Sequence, residues 1–372
     1  MASQVTNYKC PSCTGPLHFV GATGKLECDY CGSSYEVAAI EALYADKDAQ
    51  AAAAQQAAEA QAAQQPTDSA WDTSGMSADW GADGEGMKAY SCPSCGAELI
   101  CDASTAATSC PYCGNPTVVP GQFSGALKPE FVIPFKLSKD DAVRALKNHY
   151  KGKPFLPRSF TSGNHIQEIK GVYVPFWLFD GEAEGSAHFE TTISHTHRQG
   201  DEEITQTQHF DVFRAGSIAF EKIPVDASSK MPDDHMDSIE PYDYTELKPF
   251  STAYLPGFLA DRFDISAEQS SQRADQRCEN TLNAALEASI SGYNTCVRTG
   301  GFTHLRRGRV HYALLPVWML NTKWNGKDYL FAMNGQTGRL VGDLPMSWGK
   351  FWATFAAIAA PLSIIGTIIT LL

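Results

Sequence analysis

Eight of the eleven cysteines fall into four Cys-x2-Cys pairs: Cys10 with Cys13, Cys28 with Cys31, Cys92 with Cys95, and Cys110 with Cys113. Pairs this tight suit a metal better than disulfides. Fourteen residues separate the pairs within each of "CPSCTGPLHFVGATGKLECDYCG" and "CPSCGAELICDASTAATSCPYCG", so each stretch offers four thiolates to one tetrahedral centre. That donor set suits Zn²⁺, with a rubredoxin-like iron site as the alternative. All four ligands would come from the protein. The two zinc ions expected are therefore structural and activate no water.

The two stretches are an internal repeat with a constant offset of 82. Tyr8, Leu17, Tyr30 and Gly32 recur as Tyr90, Leu99, Tyr112 and Gly114, and Phe19 aligns with Cys101. Each copy is too small for a core of its own, so the metal supplies much of its stability. Charge argues against nucleic acid as the target. Residues 1–37 carry two lysines against three acids, and residues 90–120 carry no Lys or Arg against two acids. A Zn(Cys)4 centre adds further negative charge, whereas nucleic-acid affinity comes mostly from basic residues.

Other candidate groups have plain structural readings. In "HFETTISHTHRQGDEEITQTQHF" a hairpin about Gln199-Gly200 sets Glu190 opposite His209 and His197 opposite Glu202, as ordinary cross-strand pairs. The alternative is a metal site of His195 and His197 with His188 or His209. Cys101, Cys278 and Cys296 read as buried thiols. The run "RALKNHYKGKPFLPR" (144–158) has five Lys or Arg and no acid. It reads as a solvated helix end or as a contact for anionic lipid headgroups. No Walker loop, Gly-x-Ser-x-Gly elbow or His-Glu-x-x-His occurs, so no catalytic residue is named and an enzyme is not expected.

The elements that must hold these groups follow from composition and periodicity. The net charge is −13, and residues 38–87 account for most of it, with nine acids and one lysine. That segment opens Ala/Gln-rich, which reads as helix, and turns acidic and Gly/Ser-rich after Pro66, which reads as a disordered linker. Trp71 and Trp80 within it read as chance or as a short docking motif. From residue 125 the texture is globular. "FVIPFKLSKDDAVRAL" resembles "FLADRFDISAEQSSQRA", each a short strand followed by a helix that starts at Ser138 or Ser266. "VPFWLF" (174–179) resembles "LPVWML" (315–320). Asn325-Gly326 and Asn334-Gly335 are two-residue turn signals. The last 22 residues, "FWATFAAIAAPLSIIGTIITLL", carry no charge and reach about 33 Å as a helix, enough for a bilayer core. Trp348, Lys350 and Trp352 stand where a membrane interface would be. The N-terminal "MASQVTNYKCPSC" shows no apolar h-region, so the bulk is expected in the reducing cytoplasm.

The expected fold is multidomain. Zinc ribbon 1 (1–37) precedes a helical, then acidic and disordered, linker (38–87) and zinc ribbon 2 (88–120). A duplicated α+β domain with antiparallel sheets (125–345, halves about 125–222 and 250–345) and one transmembrane helix (351–372) complete it. The second ribbon is expected to fold apart from the α+β domain.

The ribbons, "VPFWLFDGEAEG", "VDASSKMPDDHMDSIEPYDYTELKPFSTAYLPGFLADRFD", "LLPVWML" and "FAMNGQTGRLVGDLP" together resemble a family of bacterial membrane proteins with transcription-factor-IIB-type zinc ribbons. Such proteins are often labelled primosomal helicases, but this chain lacks the helicase's nucleotide-binding motifs. The resemblance implies company with phage-shock-protein-A-like and SPFH or virion-core-like partners, and a role as their single-pass membrane adaptor. Nucleic acid is not expected as a partner, and an oligomer is compatible with the sequence. The rival reading is a membrane-associated nucleic-acid-binding or transcription-related ribbon protein.

Overall fold

The computed structural model describes residues 8–371 except 14, 16, 22, 47–48, 51–52, 54–69, 85–86, 103–104, 106–108, 117, 122–126, 158–159, 161–167 and 200–201. The turn expected at Gln199-Gly200 and the linker around Pro66 lie partly or wholly outside the described residues. The chain forms two compact units. One gathers Met1–Thr67, Glu184–Ser217 and Leu282–His304, and the other Asp68–Ala183, Ile218–Thr281 and Leu305–Leu372.

In the first unit, β1 (His18–Val20), β2 (Lys25–Glu27) and β3 (Ser34–Glu36) make a small antiparallel sheet in that order. Helix α1 (37–46) follows at once. Val37, Ile40 and Tyr44 recur at helical spacing and pack on Cys10, Leu17, Leu26 and Cys28. The Tyr44 hydroxyl donates to Lys9 O (3.0 Å) and accepts from Lys9 N (2.9 Å). The start of the Ala/Gln-rich segment thus completes the core of the first cysteine cluster.

In the second unit, β4 (Lys88–Ser91), β5 (Glu98–Cys101) and β6 (Val119–Gly121) carry the second cluster. The body follows: β7 (Phe131–Val132), α2 (Lys139–Tyr150), β8 (Lys170–Gln199) and β9 (Glu202–Asp226). After α3 (Asp233–Ser238) and β10 (Lys248–Pro249) come β11 (Leu259–Asp261), α4 (Ala267–Ala288), β12 (Thr295–Trp324), β13 (Lys327–Asn334) and β14 (Leu340–Gly342). The far ends of β8, β9, α4 and β12 belong to the first unit.

The sheet runs β10-β7-β12-β8-β11-β5-β4-β6, with β9 also on β8 and β13 on β12. It is mixed, which corrects the expectation of antiparallel sheets. β7 pairs parallel with β12, and β11 parallel with β8. The short strand leading into each helix joins the long strand of the other section and runs parallel to it. The two tryptophans of the matching apolar strands reinforce this exchange. Trp177 Nε1 donates to Ile265 O at 2.9 Å, and Trp318 Nε1 to Leu137 O at 3.0 Å. Each indole therefore holds the residue before a helix cap, where Ser138 with Asp141 and Ser266 with Gln269 both form capping boxes.

Both faces of β8 are covered. Val172, Val174, Phe176 and Leu178 enter one cluster, and Tyr173, Trp177 and Phe179 another. This explains why the strand reads as an unbroken apolar run rather than an alternating one. Asn325 and Gly326 have φ of 49° and 76°, the primed turn their sequence demands. Asn334-Gly335 differs from its expectation. Asn334 N donates to Arg339 O (2.8 Å), and Asn334 Oδ1 accepts from Gln336 N and Thr337 N, so the reversal there is a longer loop.

Two further expectations are corrected. Ribbon 2 is not separate, because β5 pairs antiparallel with β11 and its residues share one core with β8 and β12. The reason is legible in "ELIC": Leu99, Ile100 and Cys101 are all buried. Residues 70–84, which composition assigns to a disordered linker, lie against the body. Trp71 meets Phe179 edge-on at 4.8 Å and donates to Asp275 Oδ1 at 3.0 Å, while Trp80 meets Phe250 at 5.7 Å. Two anchored indoles offset the entropy of ordering a polar strap.

The final helix, α5 (Trp348–Leu371), is long and apolar enough to cross a membrane. Its base is tied to the body. Ser347 N donates to Phe155 O at 2.8 Å, Lys350 Nζ to Leu156 O at 2.7 Å, and Phe351 packs edge-on against Phe155 at 5.7 Å.

Candidate metal centres

The four sulfurs of Cys10, Cys13, Cys28 and Cys31 lie within 4.8 Å of one another, as do those of Cys92, Cys95, Cys110 and Cys113. The closest pairs are Cys13 with Cys28 at 3.4 Å and Cys10 with Cys31 at 3.5 Å. In the second cluster Cys92–Cys113 and Cys95–Cys110 are each 3.6 Å apart. A tetrahedral ion about 2.3 Å from each sulfur would set the sulfurs ~3.8 Å apart. Both clusters therefore fit a single metal ion and are consistent with zinc ribbons.

The loops that aim the sulfurs share one construction. Cys92 N donates to Ala97 O and Gly96 N to Cys92 O; Cys110 N donates to Asn115 O and Gly114 N to Cys110 O. Gly32, Gly96 and Gly114 have φ of 70°, 73° and 68°, so the glycine that closes each of these knuckles is needed to reverse the chain.

Protonation is uneven within each cluster. Burial opposes ionisation of Cys92, yet the amides of Cys95 and Ser94 outweigh it and bring its pKa down to about 7. Burial pushes Cys95 up to about 11 and Cys110 higher still. In the first cluster the Tyr35 hydroxyl and the Ser12 and Cys13 amides overcome burial and draw Cys10 down to about 6. Against the Gly15 amide, the thiols of Cys28 and Cys31 drive Cys13 up to about 12. A cluster in which some thiols ionise readily and others resist is a set that a dication completes, with release of protons.

The copies differ in surroundings. Phe19 and Tyr30 of the first are 60% and 79% exposed, whereas their counterparts Cys101 and Tyr112 are 0% and 5% exposed. Tyr112 donates to Asp261 Oδ2 at 2.6 Å, and Ser228 donates to the same oxygen at 2.7 Å. Asp261, unremarked in the sequence, is fully buried, and burial pushes its pKa up to about 7. The only sequence sign is an acid closing the apolar triplet Leu-Ala-Asp of β11.

The histidines form no metal group among the described residues. His209 Nδ1 meets Glu190 Oε1 at 3.1 Å, His188 packs on Phe213, and His195 and His197 are exposed. His311, also unremarked in the sequence, sits between Glu130 (2.9 Å) and Asp180 (3.1 Å), with Lys222 Nζ on Asp180 at 2.7 Å. This half-buried chain ties β8, β9 and β12 together. Cys101 and Cys278 are buried thiols, and Cys296 is half-buried.

An uncharacterized protein of Bacillus subtilis (strain 168), YdjG, is 35% identical over 319 residues, an alignment that takes in 73% of this chain and 94% of YdjG. The chain belongs to the YdjG family. The name YdjG states no activity, so the chemistry of both centres rests on the residues described above. No family model and no solved structure matches the chain.

Proposed function

We propose that this chain is a single-pass membrane adaptor, anchored by α5 with its bulk in the cytoplasm, whose zinc-filled ribbons recruit membrane-stress proteins through protein–protein contacts. The domain limits given from the sequence and the duplication of the α+β body belong to this reading. The two sections, each a short strand, a capped helix, a long strand and its hairpin partner, are what supports the duplication. The phage-shock-protein-A-like and SPFH or virion-core-like partners come from the family resemblance.

One observation carries the reading. Ribbon 2 spends its Cys101 and Tyr112 face on the body, while ribbon 1 leaves the same face open at Phe19 and Tyr30. A rigid platform with exposed aromatic side chains, and no catalytic constellation among the described residues, suits capture of a protein.

The test uses a fluorescent phage-shock-protein-A-like partner co-expressed with the full chain, with a Phe19→Ser/Tyr30→Ser variant, or with α5 replaced by an unrelated span. Membrane foci should vanish with the ribbon variant and persist with the exchanged span. Foci that survive loss of Phe19 and Tyr30 would remove the ribbon from the contact. A salt-titrated DNA and RNA binding assay separates the rival nucleic-acid reading.

A further inference from the structure

The loop that follows α2 is clamped to the base of α5. Phe155 and Leu156 give their carbonyls to Ser347 N and Lys350 Nζ, and Phe155 packs on Phe351, the first residue of the uncharged run. Trp348 and Trp352 flank that point and are 61% and 58% exposed, as an interfacial aromatic girdle would be. Immediately before the clamp stand Lys147, Lys151 and Lys153, all exposed, and none forms an ion pair among the described residues. Lys151 and Lys153 are four and two residues from Phe155, so their ammonium groups cannot leave the neighbourhood of the span's entry point.

The geometry points to a headgroup-binding site: Lys147, Lys151 and Lys153, fixed at the lip of α5, contact the phosphates of anionic lipids in the leaflet that α5 enters. This rests on α5 being a membrane anchor. A helix C-terminus favours cations for its own dipole, which accounts for Lys147. It does not account for Lys151 and Lys153 beyond the helix, nor for their attachment to the apolar span. Near an anionic surface each lysine multiplies affinity by roughly fivefold, so three give on the order of a hundredfold preference for an anionic over a neutral surround.

The test places the full chain in nanodiscs of phosphatidylcholine alone or mixed equally with phosphatidylglycerol. Lysines are pulse-labelled with an amine-acylating reagent and read site by site by mass spectrometry. Lys147, Lys151 and Lys153 should label several-fold more slowly in the anionic discs, with the protection fading at high salt, while Lys9 keeps its rate. Native mass spectrometry should find phosphatidylglycerol enriched among lipids retained by the wild type. In the Lys147→Gln/Lys151→Gln/Lys153→Gln variant, whose substitutions all fall on exposed residues, the retained lipids should match the bulk ratio. Equal labelling in both discs, or undiminished enrichment in the variant, overturns the inference. Equal protection in neutral discs by free inorganic phosphate would reassign the site to a soluble anion and overturns it too. Failure of the chain to enter discs would instead sink the anchor reading.

Discussion

Tyr112 of the second ribbon donates its hydroxyl to Asp261 Oδ2 at 2.6 Å, across the pairing of β5 with β11. Tyr112 stands between the metal-facing Cys110 and Cys113, so this hydrogen bond, together with that from Asn321 Nδ2 to Tyr112 O, links the cysteine cluster to the central sheet. Removing the hydroxyl leaves Ser228 as the remaining side-chain partner of Asp261. Tyr112→Phe should destabilise the body by about 1–3 kcal/mol, the penalty for an under-satisfied buried polar group. Thermal unfolding of the detergent-solubilised chain measures it. An unchanged midpoint would show that the bond contributes nothing net.

Asp261 also sets a pH dependence. Burial raises its pKa to about 7, while in the unfolded chain it titrates near the ordinary ~3.9. Between these values the folded chain holds a proton that the unfolded chain has released, so this group's contribution to stability falls as pH rises from about 4 to about 7 and is flat above. Asp261→Asn should remove that slope. Denaturant midpoints across the window, compared between wild type and variant, decide it; parallel curves would mean that Asp261 does not titrate there.

The strap at residues 70–84 gives a third expectation. Trp71 shares Asp275 with Arg307, whose Nη2 lies 2.7 Å from Asp275 Oδ2. Trp71→Ala loses the edge contact with Phe179 and the indole hydrogen bond, at about 1–3 kcal/mol for a half-buried aromatic. The strap should then lift, and proteolysis between residues 70 and 84 should accelerate several-fold while the body survives. Cleavage at the wild-type rate would show that Trp80 and the backbone bonds of Asp72 with Gly308 and Val310, and of Ser77 with Lys128, suffice.

Much of this was written in local signals. The cysteine spacing, the serine caps, the Asn325-Gly326 turn and the uncharged tail each specify their structure within a few residues. What could not be read depends on partners distant in sequence. "ELIC" looks like any ribbon strand until β11 is beside it. Asp261 looks like a strand-end acid until Tyr112 and Ser228 close over it. The acidic stretch at 70–84 has the composition of disorder, and only the hollows beside Phe179 and Phe250 give its tryptophans somewhere to go. The parallel pairings escaped for the same reason, since each section's short strand finds its mate in the other.

The two metal centres should separate in behaviour. Each should bind one Zn²⁺, two per chain by mass spectrometry of the purified protein, and iron or near-zero zinc would refute that content. Cys13 and Cys31 are exposed, whereas Cys95 and Cys113 are half-buried and lie on the shared core. A chromogenic chelator should therefore withdraw zinc in two phases, the fast one from the first ribbon. Cys10→Ser/Cys13→Ser should abolish the fast phase and leave the body's unfolding midpoint within about 0.5 kcal/mol of wild type. Cys92→Ser/Cys95→Ser should abolish the slow phase and lower that midpoint by several kcal/mol, because Cys92, Leu99, Cys101 and Tyr112 pack on Val172, Val174 and Leu315 in one core. A body that melts unchanged without the second metal would mean that β5 holds its place on β11 through apolar packing alone, and that the metal serves only the knuckles.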